Sequence, residues 1–190
     1  MRVSFGPAVD LHPGLESYVQ PIFNPSAVMV IRQFHPADEL AVIQLWVRCG
    51  LVVPQNNPRA DVERKLWVSP ELFLVGTVDD EIVAAVMGGY DGHRGSINYL
   101  AVAPEYQHNG YGRALVEHIE AILHDCGCAK INLCVRATNH AILAFYQRLG
   151  FVVEPVVLMG KRLVTDHPFE LVVEAEPAHV EYEEDTTGAH

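Results

Sequence analysis

Basic residues are scarce in this chain. Lysine and arginine together number 13, against 24 aspartates and glutamates, and the formal net charge is −11 at pH 7 with histidine neutral. Binding to nucleic acid requires a basic surface that displaces the counterions of the phosphates, so the sequence predicts no nucleic-acid partner. An acidic surface attracts cations instead, and amines are among the ligands that it favours.

The chain also lacks any apolar run near the roughly 20 residues that a membrane-spanning helix requires. Its N-terminal part has no continuous apolar stretch of the kind found in secretory signals, so we expect neither export nor membrane association. Only four cysteines are present, which is typical of reduced thiols in a cytoplasm. Cys126-Gly127-Cys128 is not a CxxC motif and no other His/Cys cluster completes a ligand set, so we predict no metal site.

The chain has the size of one globular domain with an extension at each end. Its 190 residues are 49% hydrophobic, which is enough to bury a substantial core. Residues 1–26 contain four prolines and are interpreted as an N-terminal extension, which leaves a domain over 27–163. Residues 164–190 form an acidic C-terminal extension. Within it, the alternating segment Glu170–Glu174 is a candidate strand that could pair with a second copy, so a homodimer is one predicted arrangement.

Hydrophobic periodicity predicts the order β-α-α-β-β-β-α-β-α-β. The strands fall in 27–34, 72–78, 81–87, 96–102, 130–135 and 151–159, and the helices in 36–50, 61–68, 110–124 and 139–149. Asp79-Asp80 predicts a tight hairpin turn, and Gly88-Gly89 is expected to end the third strand. Trp67 is expected on the apolar side of the second helix. The order indicates an α/β (α+β) fold in which helices cover both faces of a mixed sheet.

The segment from Ile97 to Arg113 carries the strongest functional signal. A strand runs into a turn with glycines at 110 and 112, and the turn opens an amphipathic helix. The first amides of a helix lack internal partners, and glycine lets an anion approach the backbone, so the pattern is typical of a pyrophosphate site. The lysine of a P-loop and the third glycine of a dinucleotide fingerprint are both missing. On these residues alone, a tight turn without a ligand is the alternative.

Two motifs resemble those of the GNAT N-acetyltransferase superfamily. Gln107-x-x-Gly110-x-Gly112 after a strand is similar to its Q/R-x-x-G-x-G/A signature, and residues 139–151 (NHAILAFYQRLGF) are similar to its second motif. The resemblance extends over about residues 27–163. The strings at 87–96 (MGGYDGHRGS) and 160–163 (GKRL) resemble small bacterial YpeA-type acetyltransferases.

The resemblance implies a mostly antiparallel sheet, splayed between the strands at 97–102 and 130–135, that binds acetyl-CoA. The pantetheine arm would pair with the backbone of the first of these strands, and the pyrophosphate would bind the amides of the glycine turn. The cofactor-binding residues that it implies are Leu100, Ala101, Val102, Gln107, His108, Asn109, Gly110, Tyr111, Gly112, Arg113 and Asn139.

The resemblance further implies that a neutral amine attacks the thioester directly, with Tyr146 beside the departing sulfur. A thiol of pKa about 8.5 is more acidic than a tyrosine of pKa about 10, so we interpret Tyr146 as a hydrogen-bond donor first and a proton donor second. A core aromatic is the alternative role. Candidate bases are Asp91, His93 and Glu63, or a water molecule, and Arg94 is a candidate carboxylate clamp.

The identity of the acceptor stays open at this point. Peptide N-termini, protein lysines, polyamines, amino acids and aminoglycosides are all compatible with the motifs, because a fold does not specify its substrate. A non-catalytic acyl-CoA-binding module is the alternative to an acetyltransferase.

Overall fold

The computed structural model describes residues 28–167 and residue 169, which contain five strands and four α-helices. The strands are β1 (Val30–Gln33), β2 (Phe73–Val78), β3 (Glu81–Tyr90), β4 (Gly95–Val102) and β5 (Ile131–Asn132). The helices are α1 (Glu39–Arg48), α2 (Pro58–Trp67), α3 (Tyr111–Asp125) and α4 (His140–Arg148). Short 3-10 turns lie at Pro36–Asp38, Pro70–Leu72 and Pro104–Tyr106.

The predicted N-terminal extension and the candidate strand at 170–174 lie outside the described residues. The homodimer inferred from that strand therefore stays a prediction. Within the part of the chain that is described, no helix is both long enough and apolar enough to cross a membrane.

One sheet of mixed direction organises the fold. Its strands follow the order β1-β2-β3-β4-β5, and all neighbours are antiparallel except β4 and β5, which are parallel. The β2–β3 hairpin turns at Asp79 and Asp80, whose φ values of 49° and 65° suit the left-handed pair of a type I′ turn. The predicted class, with a mixed and mostly antiparallel sheet, is therefore confirmed.

Helices cover both faces of the sheet, as predicted. Phe73 of β2 lies opposite Met87 of β3 and packs against Trp46 of α1, with 6.1 Å between the ring centroids. The next residue of β3, Gly88, points the other way, and a Cβ built on it would lie 3.0 Å from the side chain of Ile119 on α3. The two helices α1 and α3 therefore pack on opposite faces.

Strand β3 continues through Gly88-Gly89 to Tyr90, so the prediction that the glycines end it is wrong. Close packing explains their presence inside the strand. A Cβ on Gly89 would lie 2.7 Å from the Oγ of Ser96 on β4, and Gly88 has similarly little room beneath α3. The glycines let neighbouring elements approach the backbone without breaking the ladder.

Helix α2 begins at Pro58, earlier than predicted, because Asn57 caps it. The Oδ1 of Asn57 accepts hydrogen bonds from two amides of the first turn. Pro58 suits the first position of the helix, because an amide at that position would have no partner within the helix. Further along, Lys65 Nζ donates to the carbonyl of Gly88 at 2.6 Å and ties the helix to β3. A residue two positions later points to the opposite side of the helix. Trp67 is accordingly 83% exposed, so its predicted place on the apolar side is wrong.

An extra residue in β4 forms a β-bulge opposite β3. Ala101 pairs with Ala85 and Asn98 pairs with Met87, so the segment of β4 between these pairs is one residue longer than the segment of β3. Tyr99 lies in the bulge with a φ of 51°, a left-handed conformation that is rare for a bulky side chain. Bulges bend a strand and change the direction of its side chains. The hydrophobic pattern contains no signal for it.

Strands β4 and β5 separate soon after they meet. Their pairing consists of Gly95 with Ile131 and Ser96 with Asn132, at the beginning of both strands. Strand β5 is therefore two residues long, whereas the sequence predicted a strand over 130–135. The bulge shortly after this point bends β4, and the two strands do not stay within pairing distance. The sheet is splayed as the resemblance implied.

The predicted last strand at 151–159 is wrong, because residues 151–167 contain no strand. Pro155 lacks the amide that a ladder requires, and the valines and the leucine of this segment are exposed rather than packed on the sheet. Side chains near the beginning of this segment attach it to the rest of the fold. Phe151 packs edge-to-face on Tyr146, with 5.3 Å between the centroids, and Glu154 forms an ion pair with Lys130.

Candidate active site

The turn between β4 and α3 exposes the beginning of α3. His108 and Gly110 have positive φ values of 65° and 84°, which reverse the chain before the helix begins at Tyr111. Gly110 occupies the N-cap position and has no side chain that could satisfy the first amides. The residues His108, Asn109, Gly110 and Arg113 are exposed. The partial positive charge of the helix end therefore faces solvent, which suits an anion.

Two side chains of the first motif hold this turn together. Gln107 Nε2 donates to the carbonyl of Val102 at 3.0 Å and joins the turn to the end of β4. Asn109 Nδ2 donates to the carbonyls of Tyr106 and Gln107, each at 3.2 Å. The Val102 carbonyl also accepts a hydrogen bond at 3.3 Å from Cys49 Sγ, a thiol whose pKa is raised by burial. The side-chain amides of the predicted binding residues Gln107 and Asn109 thus shape the turn itself.

Helix α4 brings the second motif against the first. A Cβ built on Gly112 would lie 3.4 Å from Cζ of Phe145 and 3.7 Å from Cγ2 of Val102. The helix begins after Asn139, whose Oδ1 accepts from the amide of Ile142 at 3.3 Å. Asn139 was predicted to contact the cofactor, and the structure adds that its side chain caps α4.

Tyr146 lies on α4 with its ring packed against two aromatic neighbours. The ring centroid is 5.0 Å from that of Phe145 and 5.3 Å from that of Phe151, and both contacts are edge-to-face. The residue is 8% exposed, and burial raises the pKa of its phenol to about 12. No residue between 28 and 167 forms a hydrogen bond with its hydroxyl. Tyr146 is thus a core aromatic whose phenol is still available as a donor.

The three side chains predicted as bases are engaged differently. Asp91 Oδ1 accepts from the amides of Arg94 at 2.6 Å and His93 at 2.7 Å, which closes the β3–β4 loop and lowers the pKa of this carboxyl. His93 Nδ1 lies 3.3 Å from Arg94 Nη1. Glu63 is exposed on α2. The hydrogen bonds of Asp91 and His93 thus stabilise their own loop, and none of them joins Tyr146.

A polar network that the sequence analysis missed surrounds the bulge in β4. Tyr99 Oη donates to Asp61 Oδ2 at 2.6 Å, and Asp61 Oδ1 accepts from Arg64 Nη1 at 3.0 Å. Arg64 also forms an ion pair with Asp166, and Arg162 donates to the side-chain oxygen of Asn56 at 3.3 Å. Burial and the hydrogen bond to Asp61 raise the pKa of Tyr99 to about 12. We call this set the bulge network: Asn56, Asp61, Arg64, Tyr99, Arg162 and Asp166.

Only part of the bulge network has a signal in the sequence. Asp61 and Arg64 are three positions apart on a predicted helix, a spacing that places their side chains on one face. Arg162 belongs to the string at 160–163 that was noted for its resemblance alone. No short sequence pattern relates these positions to Tyr99, so only the tertiary structure reveals the network.

Another concave region lies on the α1 side of the molecule. An open depression of about 420 Å³ is lined by Arg32, Asp38, Arg48 and Glu81, among others. Arg32 binds Asp38 through both terminal nitrogens, at 2.7 and 2.9 Å, and thereby lowers the pKa of that carboxyl. None of the predicted cofactor-binding residues lines this depression. Within the described part of the chain, no group of three or more His, Cys, Asp or Glu side chains is arranged to hold a metal ion.

Comparison with known proteins identifies the family. Residues 40–151 match the Acetyltransferase (GNAT) family. The chain is 45% identical to an acetyltransferase of Yersinia pestis (strain Pestoides F) and 47% identical to one of Pectobacterium atrosepticum, in each case over 141 residues that make up 74% of this chain and 100% of the relative. The chain therefore belongs to the GNAT acetyltransferase family. It is an acetyl-transferring enzyme, and enzymes of this family use acetyl-CoA and an acceptor.

Solved structures have the same fold. The ribosomal-protein-S18-alanine N-acetyltransferase of Escherichia coli is 26% identical, with a TM-score of 0.56 over 65% of this chain and 77% of that chain. The structure of AAC(6')-Iy in complex with the bisubstrate analogue CoA-S-monomethyl-acetylneamine has a TM-score of 0.61 at 18% identity, over 72% of this chain and 99% of that chain. At that identity the second likeness shows the fold alone. The predicted superfamily and enzyme class are confirmed, while the roles of single residues stay predictions.

Proposed function

We propose that this protein is an N-acetyltransferase that transfers the acetyl group of acetyl-CoA to a primary amine by direct attack. The observation that carries this proposal is the arrangement of β4, the exposed glycine turn and α3 beside a splayed sheet. Bound acetyl-CoA supplies a thioester, and the reaction with an amine gives an amide and a free thiol. The direct attack requires no metal ion.

The exposed turn fits the diphosphate of coenzyme A. Gly110 adopts a φ of 84°, and a Cβ on it would meet no atom within 4 Å, so its outer side is open to a ligand. The amides of residues 108–113 surround the N-terminus of α3, where partial positive charge attracts phosphate. Arg113 is exposed in the first turn and adds a full positive charge.

The opening between β4 and β5 fits the amide-rich pantetheine arm. Beyond Ser96 the pairing with β5 ends, so backbone groups of Leu100, Ala101 and Val102 can pair with the arm as a strand would. The Val102 carbonyl already accepts from two side chains, so the arm would share that oxygen or use the other groups. Asn139 keeps Nδ2 for the arm, because its Oδ1 caps α4.

Tyr146 acts in this proposal as a hydrogen-bond donor to the departing sulfur. Its pKa of about 12 exceeds that of an ordinary thiol, about 8.5, so complete proton transfer to the thiolate is uphill by about 5 kcal/mol. A hydrogen bond from the phenol still stabilises negative charge as it develops on sulfur. A backbone amide of β4 can likewise donate a hydrogen bond to the carbonyl oxygen and stabilise the negative charge that develops there.

The acceptor must present a neutral nitrogen when it attacks. At pH 7 roughly 10–20% of an α-amine is neutral, against only about 4 parts in ten thousand of an ordinary lysine side chain. An α-amine therefore needs little help from a base, and the S18-alanine N-acetyltransferase among the structural neighbours is consistent with such an acceptor. The candidate bases are Glu63, Asp91, His93 and a water molecule.

Release of free thiol from acetyl-CoA tests the proposal. The acceptors are an alanyl peptide amide, Nα-acetyl-lysine amide, spermidine and an aminoglycoside, each compared with a reaction that contains no amine. We expect at least one amine to accelerate thiol release and to gain an acetyl group by mass spectrometry. Tight binding of acetyl-CoA with no amine acetylated above the control would refute amine transfer.

A further inference from the structure

We propose that Asp61, held by Tyr99 at the bulge of β4, binds the amino group of the acceptor. The bulge network then forms one wall of the acceptor pocket, and the acceptor class is a primary amine that arrives as a cation. The inference rests on the proposed function and assigns the acceptor side of the site to residues that lie in neither motif.

The bulge decides which face of the sheet Tyr99 occupies. Ile97 pairs with Gly88, which faces Ile119 of α3. Strict alternation along β4 would therefore place Tyr99 on the α3 face as well. Its ring instead stacks on Trp46 of α1, with 4.3 Å between centroids, because the extra residue shifts the alternation by one. A tyrosine next to the splay is thereby turned towards α1 and α2.

In the proposed reaction, the cofactor and the acceptor amine bind on opposite faces of the sheet. Gly112 at the start of α3 lies near Val102 and Phe145, so the diphosphate-binding turn belongs to the α3 side. When the thioester enters the splay from that side, the attacking nitrogen has to approach from the opposite side. There it must come within about 3–3.5 Å of the carbonyl carbon. Tyr99 and Asp61 lie on that opposite side.

Asp61 has acceptor capacity left for a ligand. Its Oδ2 accepts from Tyr99 and its Oδ1 accepts from Arg64, whereas a carboxylate offers about four lone-pair directions. The side chain is 22% exposed, so it is partly desolvated but still reachable. An ammonium group there would gain a charge-assisted hydrogen bond, and it passes one proton to the base or to water before the neutral nitrogen attacks. Tyr99 acts through Asp61 and is a positioning residue.

The segment after α4 closes the network from the other side. Asp166 forms an ion pair with Arg64, so this guanidinium has two carboxylate partners and Asp61 is not its sole counterion. Arg162 donates to the side chain of Asn56 in the loop before α2. Residues 162–166 are therefore fixed beside α2, and the pocket wall is built from three separate parts of the chain.

The test compares Asp61→Asn with Glu71→Gln, a matched loss of one charge at an exposed position in the short turn that follows α2. The probe is whichever amine of the four-member panel the wild-type enzyme acetylates fastest, titrated by calorimetry into enzyme saturated with CoA, which has no acetyl group to transfer. We expect Asp61→Asn to weaken amine binding about ten- to hundredfold and to raise KM for the amine similarly. Binding of acetyl-CoA should stay unchanged, and Glu71→Gln should change neither constant for the amine.

Tyr99→Phe provides the second variant, because it keeps the ring on Trp46 and removes only the hydroxyl. We expect it to weaken amine binding by a factor of about two to ten, mainly through KM, with acetyl-CoA binding retained. Unaltered amine binding in Asp61→Asn, or an equal loss in Asp61→Asn and Glu71→Gln, would overturn the inference while leaving the proposed function intact. If Asp61→Asn does not fold, Tyr99→Phe decides by the same criterion. A wild-type enzyme that acetylates no amine would refute both.

Discussion

Gly112 faces the ring of Phe145 across the two helices that carry the motifs. A Cβ on Gly112 would be 3.4 Å from Cζ of Phe145, which is close to the limit of ordinary van der Waals contact. One helix and one strand separate these residues along the chain, and the fold brings them together. The contact places the anion-binding start of α3 next to α4, the helix that carries Tyr146.

This contact predicts opposite effects for two substitutions at position 112. Gly112→Ala should stabilise the protein by up to about 1 kcal/mol, because alanine favours a helix and its Cβ still fits. Gly112→Leu should destabilise it by about 1–3 kcal/mol, because the longer side chain meets the Phe145 ring. Denaturant unfolding measures both values. Equal stability of the two variants would show that the contact does not restrict this position.

The glycine turn predicts a specific loss of coenzyme A binding in Gly110→Val. The left-handed φ of 84° costs a β-branched residue about 1–2 kcal/mol, and the side chain enters the space assigned to the diphosphate. Gly92→Val is the matched control, because Gly92 has the same φ of 84° and no atom within 4 Å of its Cβ position. Calorimetry should show weakened binding only in Gly110→Val. Similar affinities in both variants would contradict the diphosphate assignment.

Replacement of Tyr146 by phenylalanine should lower kcat about ten- to hundredfold while the Kd for acetyl-CoA stays nearly unchanged. The reason is that the phenol stabilises sulfur mainly as charge develops, and a hydrogen bond to a charged group contributes about 1.5–3 kcal/mol. Tyr90→Phe, at the end of β3 and outside both motifs, is the control. Steady-state kinetics with calorimetry separates the two constants. A variant with wild-type kcat would remove Tyr146 from the mechanism.

The buried phenol of Tyr146 also predicts how stability changes in alkali. Its pKa is about 12 in the folded protein and about 10 in the unfolded chain, so between these pH values the unfolded chain loses a proton that the folded protein keeps. Folding stability is therefore fully present below pH 10 and falls by up to about 3 kcal/mol as the pH rises to 12. The pKa of Tyr99 is raised as well, but Tyr99 is less buried, so it contributes less to the loss of folding stability.

Urea unfolding at a series of alkaline pH values measures this loss. The free energy of unfolding should fall less steeply in Tyr146→Phe than in the wild type, because the variant has no phenol at that position. Identical slopes in the wild type and Tyr146→Phe would mean that Tyr146 ionises equally easily in both states.

The local patterns of the sequence predicted much of the site. Asp79-Asp80 predicted the hairpin turn, because residues that tolerate left-handed backbone are needed between two strands. The glycines at 110 and 112 predicted the turn before α3, and apolar spacing predicted both motif helices. These features depend on a few consecutive residues, and the structure reproduces them. The roles assigned to Tyr146 and to the turn residues remain predictions that the experiments above address.

The strand at 151–159 shows where local patterns fail. Its β-branched residues predict a strand, yet the segment is exposed and contains a proline that lacks an amide donor. Strand propensity describes residues that suit a half-buried sheet, and whether a sheet edge is available depends on the rest of the fold.

By itself the sequence determined the class of fold, the two motifs and the turn that joins β4 to α3, because each is encoded by spacing within a short segment. Tertiary structure alone decided the bulge, and with it the face on which Tyr99 lies. It also decided that Asp61, 38 positions away in the chain, accepts the Tyr99 hydroxyl. An inserted residue in a strand becomes visible only against its partner strand, and a contact between distant residues exists only once packing has brought their elements together.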